Sequence, residues 1–344
     1  MKKILIVAPA WIGDAVMAEP LYRRLHDLNP GLTLDVLAPA WTRAVHDRMA
    51  VVNETIVNPF GHGELRLRDR WQLGRDLKAR GYDQAIVLPN SLKSALPPFL
   101  AGIPKRTGWV GEMRYGLLND ARKLDKAAIP RMVERFSALA EPRGTLPATA
   151  PHPRLTIDEA ARGAALAKHG LNCDKPIVAF CPGAEYGPAK RWPARHVAAL
   201  TNKLGVQGVQ VWIFGSGKDG EIADEIAALA PAAINLCGKT SLAEAIDLLS
   251  CATAAVTNDS GLMHVAAALG RPLVAVYGSS SPKFTPPLSD SARIVSLELE
   301  CSPCFERTCP YQHMKCLNDL GPERVEAALI DLVPDLLRVA HGIS

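Results

Sequence analysis

Three stretches carry side chains whose types and spacing suit chemistry on an anionic, hydroxylated ligand. The first is VTNDSGLMHVAAALGRPLVAVYG, residues 256–278. An acid (Asp259), a hydroxyl (Ser260), a glycine (Gly261), Met263 and His264 stand where an apolar run turns into a helical pattern. The first amides of a helix have no partner within it, and its dipole favours an anion there. Gly261 admits that anion to the backbone, and Ala266, Ala267 and Ala268 let the helix lie close to a sheet. The predicted guest is a phosphate or diphosphate. Asp259 would repel it if adjacent, so its expected role is helix cap or acceptor for sugar hydroxyls. An ordinary N-cap with a structural glycine accounts for the stretch equally well by itself. His264 by itself reads as a packed, hydrogen-bonded side chain rather than a catalyst.

The second stretch is CPGAEYGPAKRWPARH, residues 181–196. Pro193 suits the first turn of a helix. Lys190, just ahead of it, could meet a diphosphate. The bland alternative is a solvated Lys190-Arg191 pair, and Trp192 reads as a packing residue. The third is WIGDAVMAEP, residues 11–20, with Gly13 and Asp14 directly after a first strand. A helix dipole holds such an acid as carboxylate, and a carboxylate facing a hydroxyl nucleophile can take its proton. A plain helix-cap aspartate is the competing reading. Basic residues follow: Lys93, Arg106, Arg114 and Arg122. They could receive a phosphorylated, acidic acceptor, or be scattered surface charge.

Other chemistries are disfavoured. No GxxxxGK[ST] run occurs, and the first turn, APAWIGDAV, is not GxGxxG. Four of eight cysteines fall in CSPCFERTCPYQHMKC, at Cys301, Cys304, Cys309 and Cys316. They could hold a structural zinc, but the spacing matches no common zinc or iron–sulfur pattern. A reduced loop is the other reading, and no catalytic role follows from either.

The elements that must position these residues alternate. Apolar runs at 3–9, 32–39, 53–58, 83–89 and 105–110 predict strands, with helical patterns between them, including 14–27 and 66–80. A proline-rich stretch, 142–155, predicts a linker. The alternation resumes with strands at 176–182, 209–215, 232–238, 252–257 and 272–278, and helices including 218–229 and 241–251. The expected fold class is α/β, with two Rossmann-like, doubly wound parallel sheets facing a central cleft. The expected domains are 1–150, 151–320 and a closing helical segment 321–344 interrupted at Pro334. Ligands bind beyond the carboxyl ends of such strands.

Composition bounds the partners. A formal charge of +4 over 344 residues is too mild for a nucleic-acid coat. Lys2-Lys3 precede only four apolar residues, short of the roughly 7 to 15 of a secretory segment. No run approaches the roughly 18 apolar residues of a spanning helix. The expectation is a cytoplasmic protein, with a basic patch that could dock at the inner face of the inner membrane.

Together, WIGDAVMAEPL, LPNSLKSALPPFLAGIPKRTGWVGEMRYGLLND, CPGAEYGPAKRWP and TNDSGLMHVAAALGRPLVAVYG resemble the ADP-heptose:lipopolysaccharide heptosyltransferases of glycosyltransferase family 9, which have the GT-B fold. The likeness runs over nearly the whole chain. Residues 88–120 and the GAEYGPAKRWP run resemble the branch that adds the second heptose of the inner core. The resemblance implies an inverting transfer from ADP-L-glycero-D-manno-heptose to a lipid-linked, single-heptose core, without a cofactor or metal. It implies that Asp14 is the general base and that Lys190 neutralises the donor's diphosphate; Gly13, Glu185 and Tyr186 are expected among the donor-binding residues. Asp259, Ser260, Gly261, Met263 and His264 fall on its donor-binding segment. Thr240 falls at a main-chain contact to adenine, and Asp219 where relatives hold the ribose. Glu185 and Tyr186 stand where the enzyme for the first heptose has paired threonines. Of the basic residues noted above, Lys93, Arg106 and Arg114 are the expected acceptor contacts, on their charge. Competing classes are a GT-B nucleotide-sugar epimerase, a heptosyltransferase for another core acceptor, and a non-catalytic nucleotide-sugar binder with no use for Asp14.

Overall fold

The computed structural model describes residues 1–61, 64–146 and 149–336. The chain divides into two compact units, the first Met1–Leu155 and the second from Thr156 onward. The boundary falls within the proline-rich stretch and its immediate sequel.

The first unit holds one parallel six-stranded sheet. Its strands are β1 (Lys3–Val7), β2 (Thr33–Pro39), β3 (Glu54–Asn58), β4 (Gln84–Val87), β5 (Lys105–Trp109) and β6 (Asp120–Arg122). Their spatial order is β3-β2-β1-β4-β5-β6. Ile4, Leu5 and Ile6 of β1 are wholly buried, as are Ala85, Ile86 and Val87 of β4. Continuous apolar runs, rather than alternating ones, are what a parallel sheet covered on both faces requires.

The second unit repeats the design with β7 (Ile177–Cys181), β8 (Gln210–Ile213), β9 (Ile234–Asn235), β10 (Ala254–Asn258), β11 (Leu273–Tyr277) and β12 (Ala292–Ser296). The order is β12-β11-β10-β7-β8-β9. Read from β7 as first strand, this is the order of the first unit, the doubly wound pattern 3-2-1-4-5-6. Val178, Phe180, Val256, Val274 and Val276 pack with Val197, Leu200 and Leu204 of the helix Ala194–Val206. Val325 and Leu329, from the helix Pro322–Leu332, join the same core. That helix stops ahead of Pro334, and residues 337–344 of the expected closing segment lie outside the described residues.

Two expectations are corrected. The helical pattern at 14–27 is two helices, Ile12–Met17 and Glu19–Leu28. Pro20 stands in the first turn of the second, where its missing N–H costs no bond but prevents a continuous ladder. Each sheet also carries a sixth strand that the apolar runs did not mark. β6 has three residues with a charge at each end, and β12 is a partly exposed edge strand. Edge strands need no fully apolar run.

Candidate active site

In a doubly wound sheet the crevice opens where the winding reverses, outside the carboxyl ends of the first and fourth strands. In the second unit these are β7 and β10. The loop after β7 carries Lys190, at the end of a 3₁₀ turn, Pro188–Lys190. Asp259 follows β10 directly. Lys190 Nζ lies 2.6 Å from Asp259 Oδ2, with side chains only 17% and 5% exposed, so a buried charge pair spans the switch point. Asn258, the last residue of β10, clamps the same loop. Its Oδ1 accepts from the Trp192 amide at 3.1 Å and its Nδ2 donates to the Pro182 carbonyl at 2.5 Å. Trp192 is core, its indole N–H donating to the Leu320 carbonyl.

The helix Gly261–Ala268 opens beside this pair. Its N-cap is Ser260, and no side chain caps it. Asp259 is therefore not the helix cap; its carboxylate is directed to Lys190. With no capping side chain, the first-turn amides stay available to an incoming anion. His264 is buried, and burial lowers its pKa to about 4, with Lys190 adding to the effect and Asp259 opposing it. It is neutral at pH 7 and can only hydrogen-bond. Met263 is wholly buried, its sulfur accepting from the Tyr277 hydroxyl at 3.5 Å. Its side chain belongs to the core, which leaves its backbone amide as the part facing the helix end.

The remaining second-unit residues surround the pair. Tyr186 places its ring centroid 5.0 Å from Lys190 Nζ. Asp219 Oδ2 accepts from the amide (2.9 Å) and hydroxyl (2.8 Å) of Ser216, while Oδ1 lies 3.7 Å from Arg191 Nη2. Gly183 packs on this carboxylate so closely that a Cβ would lie 2.4 Å from it. Asp219 thus serves first as a turn cap at the rim. Glu185 is exposed and pairs with Lys218 at 2.6 Å. Thr240 is half-buried, one residue ahead of Ser241, which caps the helix Leu242–Leu249.

In the first unit, Gly13 and Asp14 lie in the helix Ile12–Met17, immediately beyond β1, and both are half-buried. Lys93 is half-buried in a 3₁₀ turn beyond β4, Leu92–Ala95. These again are the two loops at the switch point. The arginines are used differently. Arg114 is 2% exposed and donates to the carbonyls of Pro89, Ser91 and Trp109, to Asn90 Oδ1 and to Ser94 Oγ. Arg106 donates to the carbonyls of Ile103, Leu117 and Gly116 and covers the Phe99 ring. Arg122 donates to the carbonyls of Ala138 and Glu141 and pairs with Asp120. Their guanidiniums are engaged by loop carbonyls, which gives Arg106 and Arg114 a structural role whether or not they also meet an acceptor. Among the three expected acceptor residues, Lys93 keeps a side chain without such a cage.

Sequence reasoning missed Asn258 as a clamp, and Phe305 and Arg307 as neighbours of Tyr186. Asn258 was visible as a polar residue ending an apolar run. Phe305 and Arg307 carried no signal beyond their place in the cysteine loop. The eight cysteines are free thiols. Among the described residues, no group of three or more His, Cys, Asp or Glu is arranged to hold a metal.

Residues 70–315 match the model of glycosyltransferase family 9 (heptosyltransferase). The chain belongs to this family. It is 49% identical over 334 residues to lipopolysaccharide heptosyltransferase 2 of Escherichia coli strain K12, covering 94% of this chain and 96% of that one. Lipooligosaccharide heptosyltransferase 2 of Haemophilus influenzae is 48% identical over 307 residues, with 86% and 88% covered. The solved structure of E. coli ADP-heptose LPS heptosyltransferase II superposes with a TM-score of 0.87 at 46% identity, over 97% of this chain and 99% of that one. The fold is accordingly the two-domain α/β class GT-B, and the family's chemistry is glycosyl transfer.

Among the described residues, no helix is long and apolar enough to cross a membrane.

Proposed function

We propose that this heptosyltransferase moves L-glycero-D-manno-heptose from ADP-heptose to the first heptose of the lipopolysaccharide inner core. The observation that carries the reading is the Lys190–Asp259 pair at the second unit's switch point, beside an uncapped helix end. A lysine, a carboxylate and free amides in one place suit a sugar diphosphate: cations and amides for the phosphates, an acceptor for the hydroxyls.

In this reading the second unit binds the donor and the first unit the acceptor. Asp14 takes the proton of the acceptor hydroxyl as its oxygen attacks the anomeric carbon. The bond to ADP breaks on the opposite face, so the configuration inverts in one displacement. Positive charge builds on the sugar, as in other oxocarbenium-like transition states. Negative charge builds on the departing β-phosphate. Lys190 and the amides of 261–263 are fixed before that charge appears, and this preorganisation lowers the barrier. Asp259, giving up Lys190 to the phosphates, becomes an acceptor for heptose hydroxyls. His264, neutral, can share a hydrogen bond without adding charge. No metal or cofactor enters this scheme.

The acceptor is lipid-linked, and the first unit offers a surface for its membrane. Leu67, Trp71 and Arg75 are exposed and lie one turn apart on the helix Leu67–Lys78, with Arg75 over the Trp71 ring at 4.9 Å. An apolar row carrying cations suits anionic headgroups. Replacing Leu67 and Trp71 by serine should lower co-sedimentation with vesicles containing anionic lipid; unchanged binding would exclude this face.

The deciding experiment for the reaction is incubation with ADP-heptose and a single-heptose core, followed by mass spectrometry. A gain of one heptose residue is expected. No gain, with ADP-heptose intact, would refute the reading.

A further inference from the structure

Residues 302–307, in the cysteine-bearing loop after β12, have no part in the scheme above, yet they are stitched to the donor rim. The Ser302 hydroxyl donates to the Gly278 carbonyl at 2.6 Å, and the Phe305 amide to the Ser279 carbonyl at 2.7 Å. The Tyr186 hydroxyl donates to the Phe305 carbonyl at 2.6 Å, and the Ala189 amide to the Arg307 carbonyl at 3.1 Å. At Gly187 a Cβ would lie 2.4 Å from the Arg307 carbonyl oxygen, so the close approach requires glycine. The segment is therefore bound to the loop that carries Lys190.

This stitching places a second cation at the site. The Arg307 guanidinium carbon lies 5.1 Å from the centroid of the Tyr186 ring, the same ring that Lys190 Nζ approaches to 5.0 Å. The two cations cannot be farther apart than these two distances together. Lys190, Arg191 and Lys218 each have an acid within 4 Å. Arg307 is exposed, and among the described residues no carboxylate lies within salt-bridge distance of it. A guanidinium held by an aromatic ring rather than by a carboxylate keeps its N–H donors available for phosphate oxygens. The residues that anchor the segment are themselves firmly held: Ser279, whose carbonyl accepts the Phe305 amide, and Ser280 are buried, 1% and 8% exposed.

We propose that Arg307 binds the diphosphate of the nucleotide sugar together with Lys190, and that segment 302–307 exists at this rim to hold it there. The inference rests on the second unit being the donor site. Tyr186 is then the shared platform that keeps both cations in place.

The test measures binding of ADP and of adenosine by calorimetry, and steady-state transfer, for the full chain and for Arg307→Gln, Arg307→Lys and Lys190→Ala. Arg307→Gln should weaken ADP about tenfold, the size expected from one charged hydrogen bond. Adenosine binding and the melting temperature should not move. The donor KM should rise with the acceptor KM unchanged, and Arg307→Lys should recover part of the loss. Equal losses for ADP and adenosine would reduce Arg307 to a scaffold residue and overturn the proposal. Normal ADP binding by Arg307→Gln, beside a loss in Lys190→Ala, would also overturn it and leave the donor reading standing. Normal ADP binding by both variants would remove the donor reading itself, and this proposal with it.

Discussion

The two units share a strand order and differ in how they employ charge. In each, the loops that matter follow the first and fourth strands. In the first unit these loops carry Asp14 and Lys93, while three nearby arginines are consumed by backbone carbonyls. In the second, the equivalent loops carry Lys190 and Asp259, matched to each other at 2.6 Å. One sheet thus spends its cations on holding long loops in shape. The other keeps a cation and an anion balanced at the crevice. The winding decides where a ligand can sit, and the loop residues decide which ligand it is.

The comparison breaks first at Asp14. If the first unit supplies the base, Asp14→Asn should lower turnover about a thousandfold and leave ADP binding by the second unit intact. Pre-steady-state transfer assays beside calorimetry would show it; turnover within a few-fold of normal would take the base elsewhere. Lys190→Ala should lower kcat/KM about a hundredfold and also destabilise the chain, since Asp259 would be left buried without its partner. Retained donor affinity would contradict the donor role of the pair.

A contrast in the first unit sharpens the distinction between scaffold and ligand cations. Arg114→Met strands several buried carbonyls and should cost about 3 kcal/mol in urea unfolding. Lys93→Ala should leave stability unchanged and raise the acceptor KM. If instead Arg114→Met folded normally and lost only acceptor affinity, the caged arginine would be a ligand residue after all.

A last comparison takes one histidine from each unit. Burial lowers His46 to about 3 and His264 to about 4. Both are neutral when folded, whereas the unfolded chain takes a proton near pH 6.5. Folding stability is therefore full above about pH 6.5. It should decline below that by about 1.4 kcal/mol per pH unit for each histidine, the loss ending near the folded values. Urea unfolding at pH 7, 6 and 5 checks the slope, and His264→Gln should remove its share. Flat stability across that range would show that neither ring is held neutral.

Much of the architecture was legible because parallel strands covered on both faces must be written as continuous apolar runs. Ile4-Leu5-Ile6-Val7 and Leu273-Val274-Ala275-Val276 could hardly be anything else. The edge strands β6 and β12 were not, since an edge can tolerate charge and exposure. For the site, residue type was legible and partnership was not. Lys190 and Asp259 stand 69 positions apart, so their contact exists only in the fold. Arg114 reads like a phosphate ligand until the carbonyls around it are seen. Phe305 and Arg307 reach the rim from a loop whose four thiols drew attention away from its other residues. Within that loop the amide of Met314, with those of Tyr311, His313 and Gln312, lowers the Cys309 thiol below its ordinary value.

If the second crevice holds the donor as proposed, its Lys190–Asp259 salt link bears on the catalytic cycle. A lysine that already possesses a counter-ion meets each incoming anion as a rival to Asp259. Small inorganic ions must win that contest unaided, whereas a nucleotide brings its base and ribose to help. After transfer the carboxylate can reclaim the lysine and push the spent nucleotide out. The resting crevice is thereby neutralised from within, which favours selectivity on entry and release on exit.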